Sequence, residues 1–164
     1  MKYVYRKMKS PVGELTLVAN ERGLAAVLWQ DDRPGRVRLG GLGEDRDHPL
    51  LIEAEKQLRQ YFGGERQSFS LELAPEGTEF QQEVWLALRK IPYGETRSYG
   101  ELAKVIGRPS ASRAVGAANG RNPLSIVVPC HRVIGAGGQL TGFAGGLECK
   151  SILLNLEAQR LAKI

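Results

Sequence analysis

The chain has 164 residues, 42% hydrophobic and 25% charged, which is the balance of a folded globular protein and excludes a disordered or fibrous chain. Two cysteines, Cys130 and Cys149, are too few for a disulfide framework, and no apolar run reaches the roughly 18 residues a membrane span needs, so a reducing, cytoplasmic setting with no membrane partner is expected. The net charge of +5 is uneven: residues 1–75 hold 12 basic and 11 acidic side chains, residues 76–164 hold 11 and 7, and residues 89–132 hold eight basic against two acidic. That last stretch suits a phosphate backbone or a plain solvated face, and charge alone does not choose between them.

In chain order, Leu15, Leu17 and Ala19 alternate with Thr16 and Val18, the period of a half-buried strand. Asn20-Glu21-Arg22-Gly23 reads as a turn and residues 24–29 as a second strand, so a hairpin is expected. Residues 31–47, rich in Gly, Asp and Arg, read as a mobile loop. Pro49 opens a helix with Leu50, Leu51, Ala54, Leu58, Tyr61 and Phe62 at helical spacing, and Gly63-Gly64 ends it. Phe69, Leu71 and Leu73 alternate as a third strand. Nothing in this half carries chemistry: Tyr3, Tyr5, Trp29 and Tyr61 read as packing, and the half as a scaffold.

Residues 74–78 are the expected boundary, which divides the chain into units 1–75 and 76–164. Thr78 can cap a helix whose apolar stripe is Phe80, Val84, Trp85 and Leu88, and Ile91-Pro92-Tyr93-Gly94 ends it. Ser98-Tyr99-Gly100-Glu101 has the form of a capping box, opening a helix that turns Leu102, Val105 and Ile106 inward until Gly107-Arg108-Pro109 breaks it. Ser110 then caps a second helix over 111–118, stopped by Asn119-Gly120. Two short helices across a glycine-containing turn, inside the basic stretch, read as helix-turn-helix. The expected fold class is α+β: a small N-terminal sheet-and-helix domain, then a mostly helical domain with a helix-turn-helix of the DNA-binding kind. The second helix carries small side chains, Ala111, Ala114, Gly116, Ala117 and Ala118, around one long cation, Arg113. This suits close packing against another helix as well as it suits a DNA groove entered without base-edge reading.

Ser125-Ile126-Val127-Val128 reads as a short buried strand ending in Pro129-Cys130-His131-Arg132-Val133. An ordinary thiol titrates near 8.5, and a neighbouring base increases its reactive thiolate. A lone Cys-His pair is also compatible with an inert buried cysteine. Pro129-Cys130-His131-Arg132-Val133, together with Arg113-Ala114-Val115-Gly116 and Asn122-Pro123 upstream, resembles the O6-alkylguanine-DNA alkyltransferases, also called methylated-DNA–protein-cysteine methyltransferases. The similarity runs from about residue 78 to 157, and the order of Tyr99, Arg113, Asn122, Cys130 and Glu157 follows the family pattern.

The resemblance implies an α+β repair protein that moves an alkyl group from O6-alkylguanine, and also O4-alkylthymine, onto Cys130, once and irreversibly. It implies His131 as base through a water, Glu157 as its orienting group, and Asn122 as the holder of the active-site turn. Tyr99 would help rotate the nucleotide out, Arg113 would fill the gap in the stack, and Ser110, Ala114, Gly116 and Ala117 would face the minor groove. Ser125, Val133, Phe143, Ala144 and Gly145 would line the pocket. Phe143 stands where many relatives carry tyrosine and Ala144 where some carry serine, so side-chain hydroxyl contacts to the base are lost there while backbone amides remain. Ser125 replaces a proline of some relatives, from which weak stacking of benzyl groups is expected. The implied partner is double-stranded DNA, bound by a monomer, with cooperativity along DNA left open. No cofactor and no metal are expected, since Cys130, Cys149, His48 and His131 lack zinc-ligand spacing. Three rival readings compete with this one. A non-catalytic damage binder would carry tryptophan in place of Cys130. A sequence-specific regulator would need base-reading side chains over 110–119. A cysteine hydrolase would leave the basic helices without a task.

Overall fold

The structure, a computed structural model, describes residues 2–162, with side chains through Arg160. Four strands form one sheet: β1 (Tyr3–Met8), β2 (Leu15–Ala19), β3 (Leu24–Leu28) and β4 (Leu42–Glu44), in the order β3-β2-β1-β4. The expected hairpin is β2-β3, antiparallel, closed by Asn20, whose Oδ1 accepts the Arg22 and Gly23 amides at 2.8 and 3.1 Å. β1 pairs antiparallel with β2, Tyr5 opposite Val18, and β4 runs parallel to β1. Both faces of the sheet are covered. Helix α1 (Pro49–Phe62) turns Leu51, Ala54, Leu58 and Tyr61 toward one face, while Val37 and Leu39 pack with Tyr3, Val18 and Ala26 on the other. The segment expected as a mobile loop thus holds a strand, a buried arginine (Arg36) and the sheet's outer cover.

The second half follows as α2 (Glu79–Leu88), β5 (Arg97–Ser98), α3 (Tyr99–Val105), α4 (Ser112–Gly120), a 3-10 turn at Cys130–Arg132, β6 (Val133–Ile134) and α5 (Leu147–Ala162). Thr78 caps α2 in a capping box with Gln81, and Ser98 caps α3 in the expected box with Glu101. The hydrophobic core is continuous across the two halves: Leu17, Leu24 and Leu58 join Val84, Leu88, Val133 and Leu153 in one cluster. No helix among the described residues is long and apolar enough to cross a membrane.

Several sequence expectations are corrected. Residues 69–73 form no strand, making only the bridge Leu24↔Leu73. The Gln57 side chain takes the Ser70 amide and carbonyl, at 2.9 and 3.1 Å, that a ladder would have used. Val105 is 67% exposed because α3 is only seven residues long and ends there. Ser110 does not cap α4: a turn closed by the Ala111 amide on the Arg108 carbonyl (2.9 Å) moves the start one residue on, so Ala111 is the cap and offers no side-chain bond. Helix α4 runs through Asn119 and Gly120 instead of stopping before them. Residues 125–128 are a tight turn, not a strand, for a reason that belongs to the site.

Candidate active site

The turn that delivers Cys130 is built around Asn122, which is buried. Its Oδ1 accepts the Leu124 amide at 3.0 Å and its Nδ2 donates to the Val128 carbonyl at 2.9 Å. These bonds, with the Val128 amide on the Leu124 carbonyl (2.8 Å), close the loop so tightly that Ile126 takes φ +73°. A β-branched residue there costs about 1–2 kcal/mol, and only an over-determined turn retains it. The turn is also tied to the sheet, since Val27 donates to the Pro123 carbonyl at 2.8 Å. Arg36, gripped by Asp32 at 2.6 and 2.8 Å, donates to the carbonyls of Gly120 (3.2 Å) and Asn122 (2.8 Å). Asn122 and Arg36 therefore couple the end of α4 to the approach to Cys130.

Cys130 opens the 3-10 turn and is 4% exposed. Burial pushes its thiol up, against the opposing pull of the Asn122 amide and of the Arg36 and Lys150 charges. His131 is fully buried, and its Nε2 lies 2.7 Å from Glu157 Oε2. Burial pushes Glu157 up, but the hydrogen bonds and charges of His131 and Arg132 outweigh it and bring the carboxyl down to about 2. A carboxylate can only accept, so Nε2 carries the ring proton and Nδ1 presents a lone pair. Burial lowers His131, with Glu157 opposing and Arg132 and Lys150 adding to the fall, so the ring is neutral and able to take a proton. Nδ1 is buried and has no hydrogen-bond partner among the described residues.

Glu157 serves more than the histidine. Arg132 grips it through Nε to Oε1 (2.9 Å) and Nη2 to Oε2 (3.1 Å), and places Nη1 on the Ile91 carbonyl (2.7 Å). The Gly94 amide donates to Oε1 at 3.0 Å and the Tyr61 hydroxyl to Oε2 at 2.6 Å. Five donors on one buried carboxylate satisfy it fully and fix its orientation.

Residues expected to line the pocket gather around Lys150. This side chain is buried on the inward face of α5, in line with Leu153 and Glu157 three and seven residues on. Its Nζ donates to the Val133 carbonyl at 2.6 Å and the Thr141 carbonyl at 3.4 Å, and lies 5.7 Å from the centre of the Phe143 ring. Thr141 Oγ1 hydrogen-bonds the Tyr99 hydroxyl, which ties Tyr99 to the same cluster. Phe143 meets Trp29 of the N-terminal half edge to face at 5.4 Å. Gly145 is pressed so closely on Trp29 that a Cβ there would lie 2.6 Å from the indole. Ala144 is half-buried beside it, and Ser125 is buried in the Asn122 turn, bridged to Val128.

Helix α4 presents the outward face. Arg113, Ala114 and Ala117 are exposed, as is Ser110 in the preceding turn, while Val115, Ala118 and Asn119 point inward. Trp85 of α2 anchors the helix by donating to the Ala118 carbonyl at 2.9 Å. Gly116 faces the Tyr99 ring, and a Cβ there would sit at an ordinary 3.6 Å, so folding does not require glycine at this position.

Sequence reasoning gave no role to Arg132, Lys150 or Arg36, and read Trp29 and Tyr61 as packing, which they are, without their contacts to the site. A signal existed for two of them. Arg132 lies inside the cysteine motif itself, and Lys150 shares a helical stripe with apolar Leu153, an unusual place for a cation. Arg36 and Tyr61 act across 86 and 96 residues of chain, which no local pattern reports.

Comparison with known proteins decides the family. Residues 3–75 match the family model described as 6-O-methylguanine DNA methyltransferase, ribonuclease-like domain, and residues 79–159 match its DNA binding domain. The chain belongs to the methylated-DNA–protein-cysteine methyltransferase family. It is similar to the methyltransferase of that name from Methanosarcina acetivorans, 52% identical over 153 residues that cover 93% of this chain and 97% of the relative. The Mycobacterium leprae methyltransferase is 51% identical over 156 residues, covering 95% and 93%. A crystal structure of Mycobacterium tuberculosis OGT in complex with DNA superposes with a TM-score of 0.88 at 49% identity, covering 96% of this chain and 94% of the other. An archaeal methyltransferase from Pyrococcus kodakaraensis, at 24% identity and a TM-score of 0.56, shares the fold. The methyltransferase family sets the chemistry against which the geometry of Cys130 is read.

Proposed function

We propose that this protein repairs DNA by direct damage reversal, moving the alkyl group of O6-alkylguanine, and of O4-alkylthymine, onto Cys130 in a single irreversible event. The observation that carries this is the juxtaposition of a buried cysteine with a histidine whose Nε2 is committed to Glu157 and whose Nδ1 is free to accept a proton. In the proposed step the Cys130 proton passes to His131 Nδ1 through one water. The thiolate attacks the alkyl carbon, a sulfur–carbon bond forms and the carbon–O6 bond breaks. The bond's electron pair stays on the guanine oxygen, and the departing base recovers the proton from His131. The thioether is not hydrolysed, so the protein acts once.

The α3-α4 pair serves as a helix-turn-helix, with units 1–75 and 76–164 as the working division. Small exposed residues at Ala114 and Ala117 let α4 approach the minor groove with little base-edge hydrogen bonding, which suits lesions in any sequence. Because O6 lies inside the duplex, the nucleotide must leave the stack, at a cost of a few kcal/mol. Arg113, exposed on α4, would occupy the gap, and Tyr99 would crowd the phosphate and contact the base. Ser110 and Gly116 would lie along the backbone, and Ser125, Val133, Phe143, Ala144 and Gly145 would enclose the base. The protein would act as a monomer in the cytoplasm.

The test is incubation with duplex DNA carrying one O6-methylguanine, then digestion and mass mapping. The expected result is one methyl per protein on the Cys130 peptide and none in Cys130→Ser. Tight binding without transfer would refute the proposal in favour of damage recognition alone.

A further inference from the structure

The N-terminal half reads from sequence as scaffold, yet one of its side chains touches the active-site carboxylate. Tyr61 lies in the last turn of α1 and is fully buried. Phe62, Phe69 and Tyr93 surround its ring at centroid distances of 5.5, 5.7 and 6.1 Å. Those contacts would hold a phenylalanine equally well, so packing explains the ring and not the hydroxyl. The hydroxyl donates at 2.6 Å to Glu157 Oε2, the same oxygen that receives His131 Nε2 at 2.7 Å.

We propose that Tyr61 is a positioning residue of the transfer reaction, which sets the basicity of His131 by competing with it for Glu157 Oε2. This rests on Cys130, His131 and Glu157 acting as described under Proposed function. The phenol can only be a donor: burial, then the adjacent Glu157 charge, pushes its ionisation beyond the ordinary tyrosine range. Every donor on Oε2 withdraws charge that the carboxylate would otherwise offer to the imidazole. With the phenol present, Glu157 orients His131 firmly but pulls on its proton moderately. The imidazole can then take the Cys130 proton and still release it to the departing base. Without the phenol, Oε2 is shared by His131 and Arg132 Nη2 alone, the carboxylate offers the imidazole more of its charge, and imidazolium becomes easier to form. The acid limb of the transfer rate, set by His131 protonation, must then move to higher pH. Since α1 supplies the donor, the N-terminal half is a working part of the site.

The test is single-turnover methyl transfer from O6-methylguanine duplex across pH, at saturating protein, for wild type, Tyr61→Phe and Glu157→Gln. Duplex affinity is measured alongside. In Tyr61→Phe the acid limb is expected to move upward by about half a pH unit or more, with duplex affinity unchanged. A second variant carries 3-fluorotyrosine at position 61, which keeps the ring and strengthens the donor, and its limb is expected to move downward. A purely structural hydrogen bond gives no such opposite pair of shifts. Limbs that coincide with wild type in both variants, or in the fluorotyrosine protein alone should Tyr61→Phe not fold, would overturn the proposal while leaving the site intact, provided Glu157→Gln loses transfer. A wild type that places no methyl on Cys130, or a Glu157→Gln protein at full rate, would overturn the underlying reading and this proposal together.

Discussion

The carboxylate site and helix α4 are held in opposite ways. Around Glu157, five donors from α1, the turn after α2, and the Cys130 turn converge on one buried group. On the outer face of α4, the side chains are exposed and, apart from Arg113, small, and the helix start has no side-chain cap. Fixed chemistry demands saturated, immobile partners. Recognition of damage in any sequence demands a surface that approaches closely and reads little. Mutations should separate the two regions, with stability and chemistry moving together at one and DNA affinity moving alone at the other.

The largest effect is expected from Arg132→Ala. It strips two bonds from buried Glu157 and frees the Ile91 carbonyl, and breaking a buried pair costs about 3–5 kcal/mol. Denaturant unfolding should show this as a lower midpoint with little change in slope, and an unchanged midpoint would contradict the central place given to the carboxylate.

Next is Asn122→Ala, expected to cost about 2–3 kcal/mol because two turn bonds vanish while Ile126 stays strained. Transfer should fall more than duplex binding, which paired rate and affinity measurements would show.

Acid should break the same region. Glu157 titrates at about 2 in the fold against 4.5 ordinarily, so its contribution is complete above 4.5 and is lost as pH falls toward 2. His131 is lowered from 6.5 by burial, so the unfolded chain binds its proton first and stability begins to decline below about 6.5. Stability measured from pH 7 to 3 should therefore fall monotonically, and less steeply in Glu157→Gln.

The smallest effect sharpens the other side. Gly116→Ala should stabilise the fold by up to ~1 kcal/mol through helix propensity, since the added Cβ meets Tyr99 at 3.6 Å. Duplex affinity should fall, because the surface loses its closest approach. Equal or tighter binding would refute the role given to α4.

The two regions also differ in how far the sequence discloses them. The capping boxes, the hairpin and the small-residue helix are local, so Ser98, Asn20 and Arg113 announce their elements directly. The Cys130 motif is local too, and it led to His131 and, through family resemblance, Glu157. What stayed hidden is long-range satisfaction of buried groups. A phenol 96 residues away completes the carboxylate, and Arg36 crosses 86 residues to hold the Asn122 carbonyl. Residues 125–128 misled because a β-branched run in a turn closed by Asn122 has the composition of a strand. Ser110 misled because the preceding turn displaced the helix start by one residue.

The central claim, that chemistry at Cys130 is separable from recognition by α4, is tested most directly with two substrates. Transfer rates to wild type, Glu157→Gln and Arg113→Ala would be measured with O6-methylguanine duplex and with the free methylated base. Glu157→Gln is predicted to lose transfer from both, and Arg113→Ala to lose it from the duplex while matching wild type on the free base. Equal losses on both substrates in Arg113→Ala would contradict the account.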